Sequence, residues 1–335
     1  MKCTDKTINR RKRRIIQLRI RILSFIFVFI TIVGLILFIF LNDSKIRKFE
    51  FETYATSIYK TSLFADDLCV TAEEVKFEEF YRHDEFHGAL LFNVDTKEVL
   101  YSEHANEQLY PASTTKLMTA YLAFKYGNMD DIVTVSEHAV DVPSDSSKAH
   151  LKAGDRVSLL NLVYALMLPS GNDSAVAIAE HISGSEEKFV ELMNKEANHL
   201  GATNTHFVNP HGYQDKNHYT TAYDLYLIFN ECLKEDTFID IISSTQRTAI
   251  ITEKDGSQRT SVWGQSNQFI TGARKAPKGI TLVGGKTGNT FDAGSCLVMY
   301  GYNSSNTPYI SIIMGASSRR NLYDNMTYLW TAVPD

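Results

Sequence analysis

Ser113-Thr114-Thr115-Lys116 sets a hydroxyl and an amine three positions apart. At the start of a helix those side chains share one face, with Cβ atoms roughly 5–6 Å apart. A serine hydroxyl is a weak nucleophile until a base takes its proton. A lysine amine can be that base when burial or a neighbouring cation keeps it neutral. A helix start also leaves backbone N–H groups unpaired beside the serine, where a developing oxyanion can be held. Alone, the spacing is explained as well by Ser113 capping a helix above a solvated Lys116. Two further groups alter that balance. Ser170-Gly171-Asn172 supplies a hydroxyl that can relay a proton and an amide that both donates and accepts; singly, it is a turn. Lys286-Thr287-Gly288 supplies a cation and a hydroxyl suited to a carboxylate, then a residue that lets a substrate backbone come close; singly, it is a charge on an edge strand. In this order the groups describe a serine acyl-transfer site that requires no cofactor and no metal.

Such a site needs a frame. Ser113 to Tyr126 is predicted as a helix, with Leu117, Ala120, Tyr121 and Phe124 apolar and Gly127 as its stop. A second helix runs from about Ser158 to Leu168 and ends at Pro169, so Ser170-Gly171-Asn172 becomes a tight turn before a third helix, from about Asp173 to Ile182. Ala89 to Val94 and Val99 to Tyr101 flank Asp95-Thr96-Lys97 as a β-hairpin. Strand-like runs return at Ile280 to Thr290, Cys296 to Tyr302 and Tyr309 to Ala316, before a last helix from about Leu322 to Ala332. Strands at both ends with helices between them predict an α+β fold in three layers. An antiparallel sheet carries helices on both faces, beside a helical subdomain.

Charge and hydropathy separate the chain into unequal parts. Of its 34 Lys and Arg, nine fall in the first 41 residues with a single acid, Asp5. The remainder holds 25 basic and 38 acidic side chains, a net charge of −13 against −5 overall. That acidity argues against nucleic acid as a partner. Residues 22–41 form an uncharged stretch dense in Phe, Ile, Leu and Val behind the basic stub 1–21, the pattern of a transmembrane anchor with its N-terminus cytoplasmic. A cleaved signal peptide is the competing reading, but Asn42-Asp43-Ser44-Lys45 follows where a small-residue cleavage site should stand. Residues 42–79 read as a stalk or linker and 80–335 as the folded domain. Cys69, Cys232 and Cys296 show no C-x-x-C spacing, which argues against a metal site; one disulfide or three buried thiols both remain open.

Taken together, S-x-x-K, S-x-N and K-T-G are the signatures of penicillin-binding proteins and serine β-lactamases. The longer runs Pro111-Ala112-Ser113-Thr114-Thr115-Lys116, Leu168-Pro169-Ser170-Gly171-Asn172-Asp173, Asn209-Pro210-His211-Gly212 and His218-Tyr219-Thr220-Thr221-Ala222-Tyr223-Asp224 resemble the serine-type D-Ala-D-Ala carboxypeptidases, the low-molecular-mass penicillin-binding proteins. The resemblance spans roughly Phe80 to Pro334. Together with the anchor read at residues 22–41, it implies an enzyme of the bacterial cell membrane, single-pass, with its catalytic domain outside. The implied substrate is a peptidoglycan stem peptide ending in D-Ala-D-Ala, and the implied covalent inhibitors are β-lactam antibiotics. Carried onto matching positions, it implies Ser113 as nucleophile, Lys116 as base and Ser170 as proton relay. Asn172 would bind the peptide amide, Lys286 and Thr287 the terminal carboxylate, Gly288 would line the strand, and the backbone N–H groups of Ser113 and Asn289 would form the oxyanion hole.

The chain departs from the family's pattern at two positions. Asn289 stands where an aromatic residue or histidine is common, and Tyr223 where arginine is common. Arg319 or Arg320 could assist with the carboxylate, although a surface role explains either as well. A class A β-lactamase would need S-D-N and an E-x-x-L-N glutamate, neither of which occurs. A D,D-endopeptidase would share all the motifs. A zinc peptidase is disfavoured because His199, His206, His211 and His218 form no ligand pair such as H-E-x-x-H. A non-enzymatic sensor of β-lactams or an envelope scaffold would have little use for a complete set of catalytic signatures.

Overall fold

The computed structural model describes Thr31, residues 68–71, 73–77 and 85–335. The chain divides into Met1–Asp66 and Asp67–Asp335. The account below concerns the second unit. Apart from Thr31, the predicted anchor 22–41 lies outside the described residues, as does the basic stub. Cys69 is buried within the second unit and Val75 bridges to Ser102. The folded domain therefore begins inside the segment that composition assigns to a linker.

In chain order, β1 (Gly88–Asn93) and β2 (Val99–Glu103) form a hairpin, and a 3-10 turn at Ala112–Thr115 leads into α1 (Lys116–Tyr126). β3 (Ile132–Thr134), the short α2 (Glu137–Val140) and β4 (Arg156–Ser158) precede α3 (Leu159–Met167), α4 (Asn172–Ser183) and α5 (Glu186–His199). α6 (Ala222–Cys232) and α7 (Asp236–Ser243) lead to the hairpin of β5 (Gln246–Thr252) and β6 (Gln258–Gly264). β7 (Thr281–Thr290), β8 (Gly294–Tyr302) and β9 (Pro308–Ala316) then run into α8 (Arg319–Thr331).

The main sheet has the order β2-β1-β9-β8-β7 and is antiparallel throughout. Leu90 pairs with Ile312, and Ile312 with Val298, so strands from the two ends of the domain meet at the sheet centre. Alternate side chains of each strand point to opposite faces, and here both faces are covered. Ala89, Leu91, Leu297, Met299 and Ile313 pack under α8 with Leu322, Met326, Leu329 and Trp330. Leu90, Phe92, Val298, Ile310 and Ile312 face the other way, into a larger core with the remaining helices. The central strands thus read as unbroken apolar runs because neither face meets water. This is the predicted three-layer α+β arrangement.

α1 is the central helix of the larger core. Leu117, Met118, Ala120, Leu122 and Ala123 are buried, and α3, α4 and α6 pack around it. A helix apolar on nearly all sides has to be enclosed. The helical subdomain differs from expectation in one respect. It carries a second antiparallel sheet, β3-β4-β5-β6, which the sequence reading lacks. β3 and β4 are three residues each, and β5 buries only Ala249 and Ile251 between exposed neighbours.

Candidate active site

The 3-10 turn that carries Ser113 is held from several sides. Ala112 has φ +47°, a left-handed conformation that costs energy for a residue with a Cβ and persists only where its surroundings impose it. The Thr115 hydroxyl donates to the Ala112 carbonyl at 2.8 Å, and the Thr114 hydroxyl to Pro111 O at 2.7 Å. Behind Thr115 lies His218. Its Nδ1 accepts from Val208 N at 3.0 Å, which leaves Nε2–H to donate to Thr115 Oγ1 at 2.7 Å. Burial pushes the His218 ring down to about 3, so it stays neutral at ordinary pH. Gly212, with φ +82°, packs so closely that a Cβ there would lie 1.8 Å from Ala112 O.

Lys116, at 0% exposure, sits one turn inside the domain. Its Nζ lies 3.1 Å from Ser113 Oγ, 2.7 Å from Asn172 Oδ1 and 2.7 Å from His211 O. The last two atoms can only accept. A neutral amine has two N–H bonds and one lone pair; Asn172 and His211 engage the N–H bonds, so the lone pair is left for Ser113. Electrostatics favour that state. Burial first, then the charge of Lys286, holds the Lys116 amine well below the usual lysine range, while Asp173 pulls the other way. Lys286 is 1% exposed and pushed down to about 7 by burial. Two buried ammonium groups this close resist being charged together. Burial and the charge of Lys286 thus both favour the neutral amine at Lys116.

Lys286 Nζ donates to Ser170 Oγ at 3.0 Å and to Thr287 O at 2.9 Å. Ser170 itself has φ +65°, in the turn between α3 and α4, so both serines of the site lie on or beside left-handed backbone. Thr287 Oγ1 is 2.9 Å from Ser266 Oγ. A Cβ on Gly288 would come 2.9 Å from Pro111 O and 3.1 Å from Ser113 N. Glycine is what lets β7 lie against the turn that carries Ser113. The Asn289 side chain turns away and donates to Ser295 Oγ at 2.7 Å. A cavity of about 220 Å³ is lined by Ser113, Ser170, Ser266, Thr287, Asn289 and Arg319 among others. A second, of about 390 Å³, shares Ser113, Ser147 and Asn289 with it.

Ser113, Lys116, Ser170, Asn172, Lys286, Thr287, Gly288 and Asn289 therefore come together around one cleft. Of the two arginines, Arg319 lines it, whereas Arg320 is exposed and turns to Asp324 at 3.7 Å. Sequence reasoning left other contributors without a role. Asp173 is buried, and its carboxylate accepts from Ala149 N at 2.8 Å and Leu151 N at 3.1 Å, which fixes the wall carrying Ser147. Asn209 Oδ1 accepts from Gly212 N at 2.7 Å and shapes the turn that aims His211 O at Lys116. Thr221 caps α6, and Asp224 accepts from Asn204 N and Thr205 Oγ1. Asp173 closes the Leu168–Asp173 run, and Asn209, Thr221 and Asp224 lie in the runs around Asn209 and His218; single spacings gave no hint of what each side chain touches. Tyr223 donates to Cys69 O at 2.9 Å, and Cys69, Cys232 and Cys296 are buried free thiols.

Comparison with known proteins agrees with this geometry. The family model described as D-alanyl-D-alanine carboxypeptidase, peptidase family S11, matches residues 83–318. The D-alanyl-D-alanine carboxypeptidase DacF of Bacillus subtilis is 36% identical over 236 residues, 69% of this chain and 57% of its own length. DacA of Haemophilus influenzae is 33% identical over 253 residues, covering 73% and 61%. The D-alanyl-D-alanine carboxypeptidase of Streptomyces sp. strain K15 is 34% identical over 241 residues, covering 69% and 81%. The chain thus spans less than two thirds of the length of the first two relatives. Among solved structures, the Streptomyces K15 DD-transpeptidase superposes with a TM-score of 0.69 at 30% identity, over 74% of this chain and 97% of that one. Penicillin-binding protein 5 of Haemophilus influenzae does so with a TM-score of 0.64 at 31% identity, over 78% and 71%. With its fold, its motifs and 236 residues of aligned sequence in common with these proteins, the chain belongs to the D-alanyl-D-alanine carboxypeptidase family, peptidase family S11.

Proposed function

We propose that the protein is a serine D-Ala-D-Ala carboxypeptidase that removes the terminal D-alanine from peptidoglycan stem peptides through an acyl-enzyme on Ser113. One observation carries this reading: Lys116 is buried, both its N–H bonds have acceptors, and its remaining position faces Ser113 Oγ. Lys286 and Thr287 receive the terminal carboxylate. Asn172 Oδ1 is already engaged by Lys116, so its Nδ2 serves the peptide backbone. Ser113 Oγ attacks the carbonyl of the penultimate D-alanine as Lys116 takes its proton. The oxyanion is held by the N–H groups of Ser113 and Asn289. Ser170, whose oxygen accepts from Lys286, gives its own proton to the departing nitrogen as the C–N bond breaks. The proton held on Lys116 restores Ser170, so one proton passes in net from Ser113 to the released D-alanine. Water, deprotonated by Lys116, then attacks the ester; Ser113 leaves and regains its proton.

β-Lactams, which carry a strained amide and a carboxylate, acylate Ser113 in this scheme and stay on it. Residues 1–21 form a cytoplasmic stub, 22–41 a single membrane anchor and 42 to about 66 a connecting segment, with the catalytic domain on the outer face. The basic flank and the uncharged apolar stretch support that topology.

The test is covalent labelling by a fluorescent penicillin together with D-alanine release from a pentapeptide ending in D-Ala-D-Ala. Ser113→Ala abolishes both while its circular dichroism and melting match the wild type, and a chelator changes neither. Labelling that survives in folded Ser113→Ala removes Ser113 as nucleophile. Mass spectrometry of products from cross-linked muropeptides separates terminal from cross-link cleavage.

A further inference from the structure

A third cavity, of about 310 Å³, contains none of the residues placed at the reaction. One wall is the segment Gln108–Tyr110, which leads into the turn that carries Ser113; a second holds Lys216 and Tyr219; a third is the bend after β7, at Asp292 and Ala293. These walls are fixed by the backbone. Leu109 and Thr220 exchange two main-chain hydrogen bonds, at 2.7 and 2.9 Å, and Tyr219 and His206 do the same at 2.9 and 3.0 Å. Ala293 N donates to Thr290 Oγ1 at 3.1 Å and closes the bend. The His87 ring packs on Gly315 so tightly that a Cβ there would lie 2.7 Å from it. Tyr110 and Tyr219 are half-buried, and neither hydroxyl has a hydrogen-bond partner among the described residues. Gln108, Lys216 and Asp292 are exposed at the rim.

We propose that this third cavity binds an N-acetylated amino-sugar ring of the wall glycan, the sugar end of the substrate whose peptide end is cut at Ser113. A pyranose has an apolar C–H face and a rim of hydroxyls, and each tyrosine offers an aromatic face with a polar tip. The Gln108 amide both donates and accepts, as a hydroxyl or an acetamide requires. Lys216 and Asp292 supply one charge of each sign, which suits a neutral polar ligand better than a phosphate or an amine. The volume falls at the lower end of small-ligand sites, roughly 300–1,000 Å³. Reach is adequate. Tyr110 precedes Ser113 by three residues, so their Cα atoms are no more than about 11 Å apart. Four extended residues, from the penultimate D-alanine back to the sugar, span about 13 Å. Asp292 borders both this cavity and the larger one beside Ser113, so the path between them is short. The proposal rests on the carboxypeptidase reading and extends recognition from the peptide to the glycan.

The experiment compares kcat/KM for D-alanine release from two substrates that share one pentapeptide ending in D-Ala-D-Ala. In one the pentapeptide is carried on N-acetylmuramic acid; in the other it carries only a lactyl group, which keeps the linkage and lacks the ring. The sugar-bearing substrate is preferred by about five- to thirty-fold, what two modest neutral contacts are worth. Tyr219→Ser removes one aromatic face, and the double variant Gln108→Ala, Lys216→Ala removes exposed polar groups without touching the core. Both bring the ratio toward one, while turnover of the lactyl peptide and acylation by penicillin stay at the wild-type rate. A wild-type ratio of one, with both peptides turned over, overturns the sugar site alone. A wild-type preference that the double variant leaves unchanged overturns it as well. Failure to release D-alanine from either substrate, with no penicillin labelling, overturns the carboxypeptidase reading and the sugar site with it.

Discussion

His218 is the test of how the nucleophile turn is held. It is 2% exposed, and both ring nitrogens are committed: Nδ1 accepts from Val208 N, and Nε2 donates to Thr115, which in turn holds the Ala112 carbonyl. A proton arriving on Nδ1 would point at the Val208 N–H, which has no lone pair to offer. Burial accordingly pushes the ring down to about 3, against roughly 6.5 in an unfolded chain. The folded state therefore binds fewer protons than the unfolded one between those two values. The stability this histidine contributes is complete above about pH 6.5 and is lost as pH falls toward 3. The loss is about 1.4 kcal/mol per pH unit, or about 2.7 kcal/mol by about pH 4.5. His211, held well below its usual range by burial and then by Lys116, acts in the same direction. Glu186 and Asp224, raised by burial, act in the opposite one. A wild-type stability profile would mix all four. The difference between wild type and His218→Gln isolates one, since glutamine keeps a donor for Thr115 and does not titrate. Urea denaturation at intervals between about pH 4 and pH 7 should show the wild-type curve falling more steeply by about 1.4 kcal/mol per unit. Parallel curves would refute the assignment of a buried, neutral His218.

Gly212→Ala forces a Cβ to 1.8 Å from Ala112 O at a φ of +82°, so strain and displacement together should cost about 2–5 kcal/mol. Thermal melting gives that cost, and the folded fraction should acylate with penicillin at least ten-fold more slowly because the Ser113 turn moves with Ala112. For carboxylate-bearing ligands, kcat/KM should be bell-shaped in pH. The acid limb marks loss of the neutral Lys116. The alkaline limb marks loss of charge on Lys286, which lies below the ordinary lysine range. An analogue with its carboxylate amidated should lack the alkaline limb. Ser311→Ala leaves the buried Trp330 N–H, now 2.7 Å from Ser311 Oγ, without its acceptor; chemical denaturation should register a loss of about 1–3 kcal/mol with no change in penicillin acylation.

What was legible in the sequence follows from how local its causes are. The hairpin at Asn93 was readable because its turn is made by near neighbours, Asn93 Oδ1 accepting from Asp95 N and Thr96 N. The central strands and α1 were readable because a fully buried element is apolar along its length. α5 escaped notice because its buried side is little more than Phe189, Met193 and Ala197, diluted by charge. The small sheet escaped because β3 and β4 are too short for any period to develop, and β4 joins β5 only through Arg156 and Thr252. At the site, the candidate catalytic residues were legible as motifs. Their supports were not: His218 reaches Thr115 across 103 positions, and no pattern along the chain encodes that contact.

β7 is an edge strand, hydrogen-bonded to β8 on one side only, and its free side borders the nucleophile turn. An open sheet edge is ordinarily an invitation to self-association. Under the proposed carboxypeptidase reading, the same unpaired backbone can serve as a template for a substrate chain. A peptide laid along it is straightened and registered by main-chain hydrogen bonds before any side chain is read. A flexible wall peptide would reach Ser113 already ordered, with its scissile bond set by distance along the strand. The sheet that closes the hydrophobic core would then also measure out where the substrate is cut.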